Sequence, residues 1–233
     1  MTPAEGLAEV TQVASFLRWR IGGVAGPGEI DCGELASDPD LVGAVVAESA
    51  DGRGSDDPQV GASLWWQGYA YRVAGTALAC WLMAGVAPDV RATNMTVGIA
   101  RSRPSSVAYT SGAGTDDLAT FLDWLFPGHL DRVAASLQQA QRLGTALVWG
   151  DTAAACASGA GAVREAAGAA WHERLRAFLA AAPHDLDGLG WWSERPDGGW
   201  AYQRRTCCLW WKTTVSGGAL CSDCSLHLRG ATR

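Results

Sequence analysis

Residues 62–86 constrain the fold more than any other stretch. Leu64, Gly68, Tyr71, Gly75, Leu78 and Leu82 recur there at helical spacing, and the second half is apolar on nearly every side. A helix with no polar face has to be enclosed, so the remainder of the chain is expected to wrap around it as a central helix. The part free of charge, Val73 to Val86, is 14 residues long. That falls short of the roughly 20 needed to cross a bilayer, so no membrane span is expected. The opening Met1-Thr2-Pro3-Ala4-Glu5 has neither a basic start nor an apolar run before a cleavage site, and reads as a cytoplasmic protein.

With 48% hydrophobic and 18% charged residues, the chain has the composition of a globular protein and not of a disordered one. Periodicity and stop signals predict helices over 3–20, 39–50 behind Asp38 and Pro39, 116–126 behind a Thr cap, 129–143, 145–158 and 161–182. Between 92 and 100, Thr93, Met95, Val97 and Ile99 alternate with smaller or polar residues, and 106–110 can return beside them as a hairpin. The expected fold class is α+β. It comprises a mainly helical body over 1–190, with a small antiparallel sheet near 92–110, and a cysteine-rich segment over 191–233 read as loop-rich.

That segment carries the chemistry. Four of the seven cysteines fall in the last 27 residues, as the adjacent pair Cys207-Cys208 and, after twelve intervening residues, Cys221-Ser222-Asp223-Cys224. In a secreted chain these would be read as two disulfides, but in a cytoplasmic one they ask for a metal. Zinc prefers paired knuckles around one tetrahedral ion, whereas successive cysteines tend to diverge and suit a 2Fe-2S cluster with two thiolates on each iron. Spacing favours iron–sulfur while leaving zinc open. Net charge is −6, yet residues 195–233 hold six Arg or Lys against two Asp, leaving −10 for the rest. Arg204, Arg205 and Lys212 could offset an anionic cluster, could grip nucleic acid, or could be solvated charges, the commoner state of any one of them.

Other motifs carry less. The run 22–28 looks like a phosphate loop but lacks the strand before it and the Lys-Ser/Thr after it. His172-Glu173 begins like a zinc-protease helix, but Arg176 stands where the second His belongs. Cys32, Cys80 and Cys156 are isolated and read as small core residues. Asn94-Met95-Thr96 is a chance sequon in a chain without an export signal. Of twelve tryptophans, Trp191, Trp192, Trp200, Trp210 and Trp211 crowd the tail, either as packing or as a hydrophobic wall against water. His227 is a second-shell candidate beside Cys224.

The stretch Arg204-Arg205-Thr206-Cys207-Cys208-Leu209-Trp210-Trp211-Lys212, followed by Gly217-Gly218-Ala219-Leu220-Cys221-Ser222-Asp223-Cys224, resembles the C-terminal signature of the FhuF-type ferric-siderophore reductases. Trp65-Trp66-Gln67-Gly68-Tyr69 and the stretch to Arg103-Pro104 are similar to the family's N-terminal region. Two departures stand out: the gap between pair and knuckle is longer than usual, and Ser222 and Ser225 replace the commoner Gly and Pro. An enlarged loop over 213–220 absorbs the difference at little cost.

The resemblance implies a cytoplasmic oxidoreductase of iron homeostasis in which Cys207, Cys208, Cys221 and Cys224 hold a 2Fe-2S cluster. One electron would pass to the ferric iron of an imported siderophore and release Fe(II). The electron would come from an external donor such as a ferredoxin or reductase, since no nucleotide or flavin fingerprint is present. No nucleic acid is expected as a partner, and no membrane span is expected. Arg204, Trp210 and Lys212 are the candidates for substrate contact. Two other readings compete: a structural zinc module with a basic nucleic-acid-binding tail, and an iron–sulfur redox sensor.

Overall fold

The computed structural model describes residues 1–22, 26, 28–194 and 200–227. Most of the glycine-rich run 22–28, together with parts of the basic tail, therefore lies outside the described residues.

The chain opens with α1 (Pro3–Val13), closed by a capping box in which the Thr2 hydroxyl accepts from the Glu5 N–H while the Glu5 carboxylate accepts from the Thr2 N–H at 2.7 Å. The helix stops at Val13 instead of running to residue 20. Trp19–Ile21 leave it to form β1, which pairs in parallel with a strand almost ninety residues away. A hydrogen-bonding edge supplied by distant sequence thus overrides local periodicity. Next come β2 (Glu29–Asp31), the single turn α2 (Cys32–Leu35) and α3 (Pro39–Asp51), whose Asp38 cap accepts from the Asp40 and Leu41 N–H groups as expected.

The central helix is present as one rod. It comprises α4 (Pro58–Ala70), a π-helical turn over Tyr71–Gly75 and α5 (Thr76–Ala84), ended by Gly85 in the left-handed region at φ 68°. Its burial is nearly complete: Trp65, Trp66, Tyr69, Val73 and Leu78 are sealed from water. The short β3 (Ala87–Pro88) leads into β4 (Met95–Ala100) and β5 (Arg103–Tyr109), the expected hairpin, turned by Arg101 and Ser102 at positive φ. The sheet is larger than the hairpin, with order β1-β5-β4-β2.

After β6 (Gly114–Thr115), which pairs with β3, α6 (Leu118–Leu125) is capped by Asp117 and not by the expected threonine, the carboxylate accepting from the Thr120 N–H at 2.8 Å. A π-helical turn over Phe126–Leu130 joins it to α7 (Asp131–Ala140). The segments expected over 145–158 and 161–182 are divided differently. A single 23-residue helix, α8 (Thr145–Ala167), is followed by α9 (Ala170–Ala181), because Gly159 and Gly161 lie within α8 as packing residues and the break falls at Gly168, φ 60°. A methyl group on Gly159 would sit 2.3 Å from the Gly75 carbonyl oxygen, so glycine there lets α8 lie directly on the π-helical turn of the rod. Finally β7 (Gly190–Glu194) and β8 (Trp200–Arg204) form an antiparallel hairpin where the sequence was read as loop.

Candidate metal centre

The cysteine segment docks on the outer face of α4. A small apolar cluster of Val60, Leu64 and Cys208, with Leu209, Trp210 and Cys221 against it, is separate from the main core. From the other side β8 holds the knuckle: the Arg204 N–H donates to the Asp223 carbonyl at 3.2 Å, and the Gln203 side chain donates to the Asp223 and Cys224 carbonyls at 2.9 and 2.8 Å. The fold therefore brings Cys207-Cys208 and Cys221-Cys224 to one place.

The thiols meet across the two halves of the motif. Cys208 Sγ lies 3.5 Å from Cys221 Sγ, while Cys207 has Cys224 as its principal thiol neighbour. Successive cysteines do diverge, each toward a different knuckle partner. Leu209, held at φ 64°, turns the backbone so that its own N–H approaches Cys207 and the Trp210 N–H approaches Cys208, each favouring thiolate. Contact with Cys221 and the charge of Arg204 push the Cys208 thiol down, whereas Cys208 pushes Cys221 up. The pair thus gives up its first proton readily and keeps its second. Burial raises Cys207.

Arg204, for which a solvated charge was the commoner expectation, is fully buried. Its Nη2 donates to Asp151 Oδ1 at 2.8 Å on α8, and its Nε lies 3.5 Å from Asp223 Oδ2. Asp151 is itself fully buried. Burial pushes its carboxyl up to about 7 against the opposing pull of Arg204 and Ser63. Ser63 Oγ sits 2.8 Å from Asp151 Oδ2 and 3.1 Å from the Cys208 carbonyl, linking α8 through α4 to the cysteine backbone. Asp151 and Ser63 were missed in the sequence. A signal existed for the first, since Asp151 is the lone charge in the Ala-rich run 145–163.

Lys212 pairs with Asp57 at 3.1 Å, Arg205 lies over the Trp191 ring, and Trp210 is half-buried at the edge of a cleft. The described basic residues beside the cysteines are thus engaged with the protein itself. His227 Nε2 lies 3.0 Å from the Cys221 carbonyl.

Among the described residues, no set of three or more His, Cys, Asp and Glu side chains is gathered closely enough to hold a metal ion. Two features nonetheless suit a group larger than one ion. The thiols are arranged as pairs, and the buried Arg204, whose charge acts on Cys208 and Cys221, has an Nη1 without a partner among the described residues. Buried donors of that kind ordinarily have an acceptor. Sulfur at a four-thiolate centre would supply one.

Fold and site together define a mainly helical protein carrying a C-terminal thiol site. The profile of the family described as "Ferric iron reductase FhuF-like transporter" matches residues 63–185, more than half of the chain. The chain belongs to this FhuF-like ferric iron reductase family, and the matched span ends before the cysteine segment begins. No curated protein matches it. Among solved structures, aerobactin synthetase IucA from a hypervirulent pathotype of Klebsiella pneumoniae, together with its ATP-bound form, is similar over 87% of this chain at 14% identity and a TM-score of 0.38. This chain covers 48% of that structure, and a likeness so distant bears on neither fold nor activity. No described helix is long and apolar enough to cross a membrane.

Proposed function

We propose that this chain is a cytoplasmic oxidoreductase that reduces the ferric iron of siderophores by one electron, using a 2Fe-2S cluster held by Cys207, Cys208, Cys221 and Cys224. The observation that carries the reading is the meeting of Cys208 with Cys221 and of Cys207 with Cys224 around a buried arginine, in a member of a ferric iron reductase family. A cluster of this type accepts and donates electrons singly. The chain's own contribution is electrostatic and steric. Arg204 places a fixed positive charge at the thiolates, the Leu209 and Trp210 N–H groups donate toward sulfur, and Leu64, Leu209 and Trp210 limit water on that side.

Ferric iron is held tightly by hard oxygen donors, and the ferrous ion formed by adding one electron is held more weakly and leaves. No general acid or base is needed. The electron is supplied by an external donor such as a ferredoxin or a reductase.

Anaerobically purified protein should contain about two irons and two sulfides per chain and show an EPR signal only after dithionite. Cys208→Ser should remove both iron and signal, while Cys80→Ser, in the core far from the motif, should leave them intact. A colourless protein with one zinc would reject the reading. Rapid reduction of a ferric hydroxamate, trapped with a ferrous chelator, separates an enzyme from a redox sensor.

A further inference from the structure

A cleft of about 360 Å³ opens between α4 with its π-helical turn, the start of β5, α8 and Trp210. Its walls include two cations, Arg53 and Arg103, the polar Gln67, and the aromatic or apolar Tyr71, Leu64 and Trp210. Leu64 and Trp210 are also the residues packed on Cys208, so the floor of the cleft is the layer that covers the thiols.

The charges in it are not balanced. Arg53 is buried, and its Nη1 donates to the Ser49 carbonyl at 2.9 Å and to the Ser49 hydroxyl, while burial and then the like charge of Arg103 pull its pKa down. Among the described residues no carboxylate pairs with either arginine. Two like charges converging in a cavity cost energy unless an anion joins them, and guanidinium forks suit carboxylate, catecholate or hydroxamate oxygens. The neighbouring cleft, beyond Gln67 and Ser158, contrasts with this one: it is bounded by Ser222 and Asp223 and has no cation among its lining residues. The lengthened loop after Trp210 lies beside the arginine cleft, with the Thr214 hydroxyl 3.4 Å from the Arg53 carbonyl.

Building on the reductase reading, we infer that the cleft bounded by Arg53, Arg103, Gln67, Tyr71 and Trp210 is the substrate site, and that it selects ferric chelates of net negative charge. The chelate's oxygen donors face the arginines, and its organic arms lie on Tyr71 and Trp210. An electron supplied by the external donor would reach the iron across the Leu64 and Trp210 layer, the iron going from ferric to ferrous as the donor is oxidised by one electron, with no bond made or broken in the protein.

Gallium(III) complexes test the site without any redox step, since gallium(III) takes the same ligands and is not reduced. Binding of a triply anionic gallium(III) tricatecholate to the full chain, followed by tryptophan fluorescence, should weaken about tenfold or more in Arg103→Glu. Arg103 is exposed at the start of a strand, so the fold should survive its replacement. A neutral gallium(III) trihydroxamate should bind both proteins within about twofold. The inference is overturned if Arg103→Glu binds the tricatecholate as well as the parent does, if the neutral complex loses as much affinity, or if the variant only raises KM for the electron donor.

The double variant Cys208→Ser/Cys221→Ser keeps the two readings apart. A cleft that still discriminates by charge in protein without iron stands on its own, even if the reductase reading fails. Conversely, an active iron-bearing protein indifferent to Arg103→Glu keeps the reductase reading and loses the cleft.

Discussion

Asp151 is the residue on which the site's electrostatics converge. It lies fully buried, accepts from Arg204 at 2.8 Å and contacts Ser63, which reaches the Cys208 carbonyl. Arg204 in turn faces Asp223 and the Cys208 and Cys221 thiols. Removing one partner of a buried pair leaves an uncompensated charge, which typically costs about 3–5 kcal/mol. Asp151→Ala is therefore expected to lose about that much in denaturant unfolding, whereas a loss below about 1 kcal/mol would show that Arg204 finds other compensation. The individual thiols were legible in the sequence because their spacing is itself the signal. Asp151 was not, because its partner is 53 residues away and nothing in a helical pattern says what a lone carboxylate will meet.

At the scale of elements, the decisive contact is α8 on the central rod. Small residues give α8 its Ala-rich texture, and they bring backbone against backbone: a Cβ on Gly159 would meet the Gly75 oxygen at 2.3 Å and the Gly75 Cα at 2.7 Å. Neither atom is a flexible side-chain end. Gly159→Ala should therefore destabilise by about 1–3 kcal/mol despite alanine's better helix propensity, lowering Tm by several degrees. Gly43→Ala is the control, since a Cβ there, inside α3, would meet only the Ala140 methyl at 3.8 Å, an ordinary contact, and it should leave Tm unchanged or slightly raised. Helix existence was readable here from period and caps, as at Asp38 with Pro39. Helix boundaries were less so. The break expected between 158 and 161 is absent because the glycines there serve packing, and α1 was drawn too long because β1 is specified by its partner β5.

Across the whole molecule, the cysteine segment is a cap on a core that closes without it. The main apolar cluster includes residues of the rod, α3, α6, α8, α9 and the sheet, whereas Cys208 belongs to a separate small cluster on α4. If the cysteines hold the proposed cluster, chelating it from anaerobic protein should accordingly leave far-UV circular dichroism nearly unchanged while trypsin cuts faster at Arg205 and Lys212. Global loss of helix on chelation would instead make the metal a foundation of the entire fold.

What the sequence determined by itself was a buried central helix, a mainly helical class, one β-hairpin, and a thiol motif at the C-terminal end. Each is written in local spacing, which fixes backbone period and chelate order before any long-range contact forms. The tertiary structure alone decided that β1 and β2 complete a four-stranded sheet, that Arg204 is sealed beside Asp151, and that Arg53 and Arg103 share one cleft. Those outcomes depend on which distant surfaces meet, and burial, charge compensation and cavity shape exist only after they do.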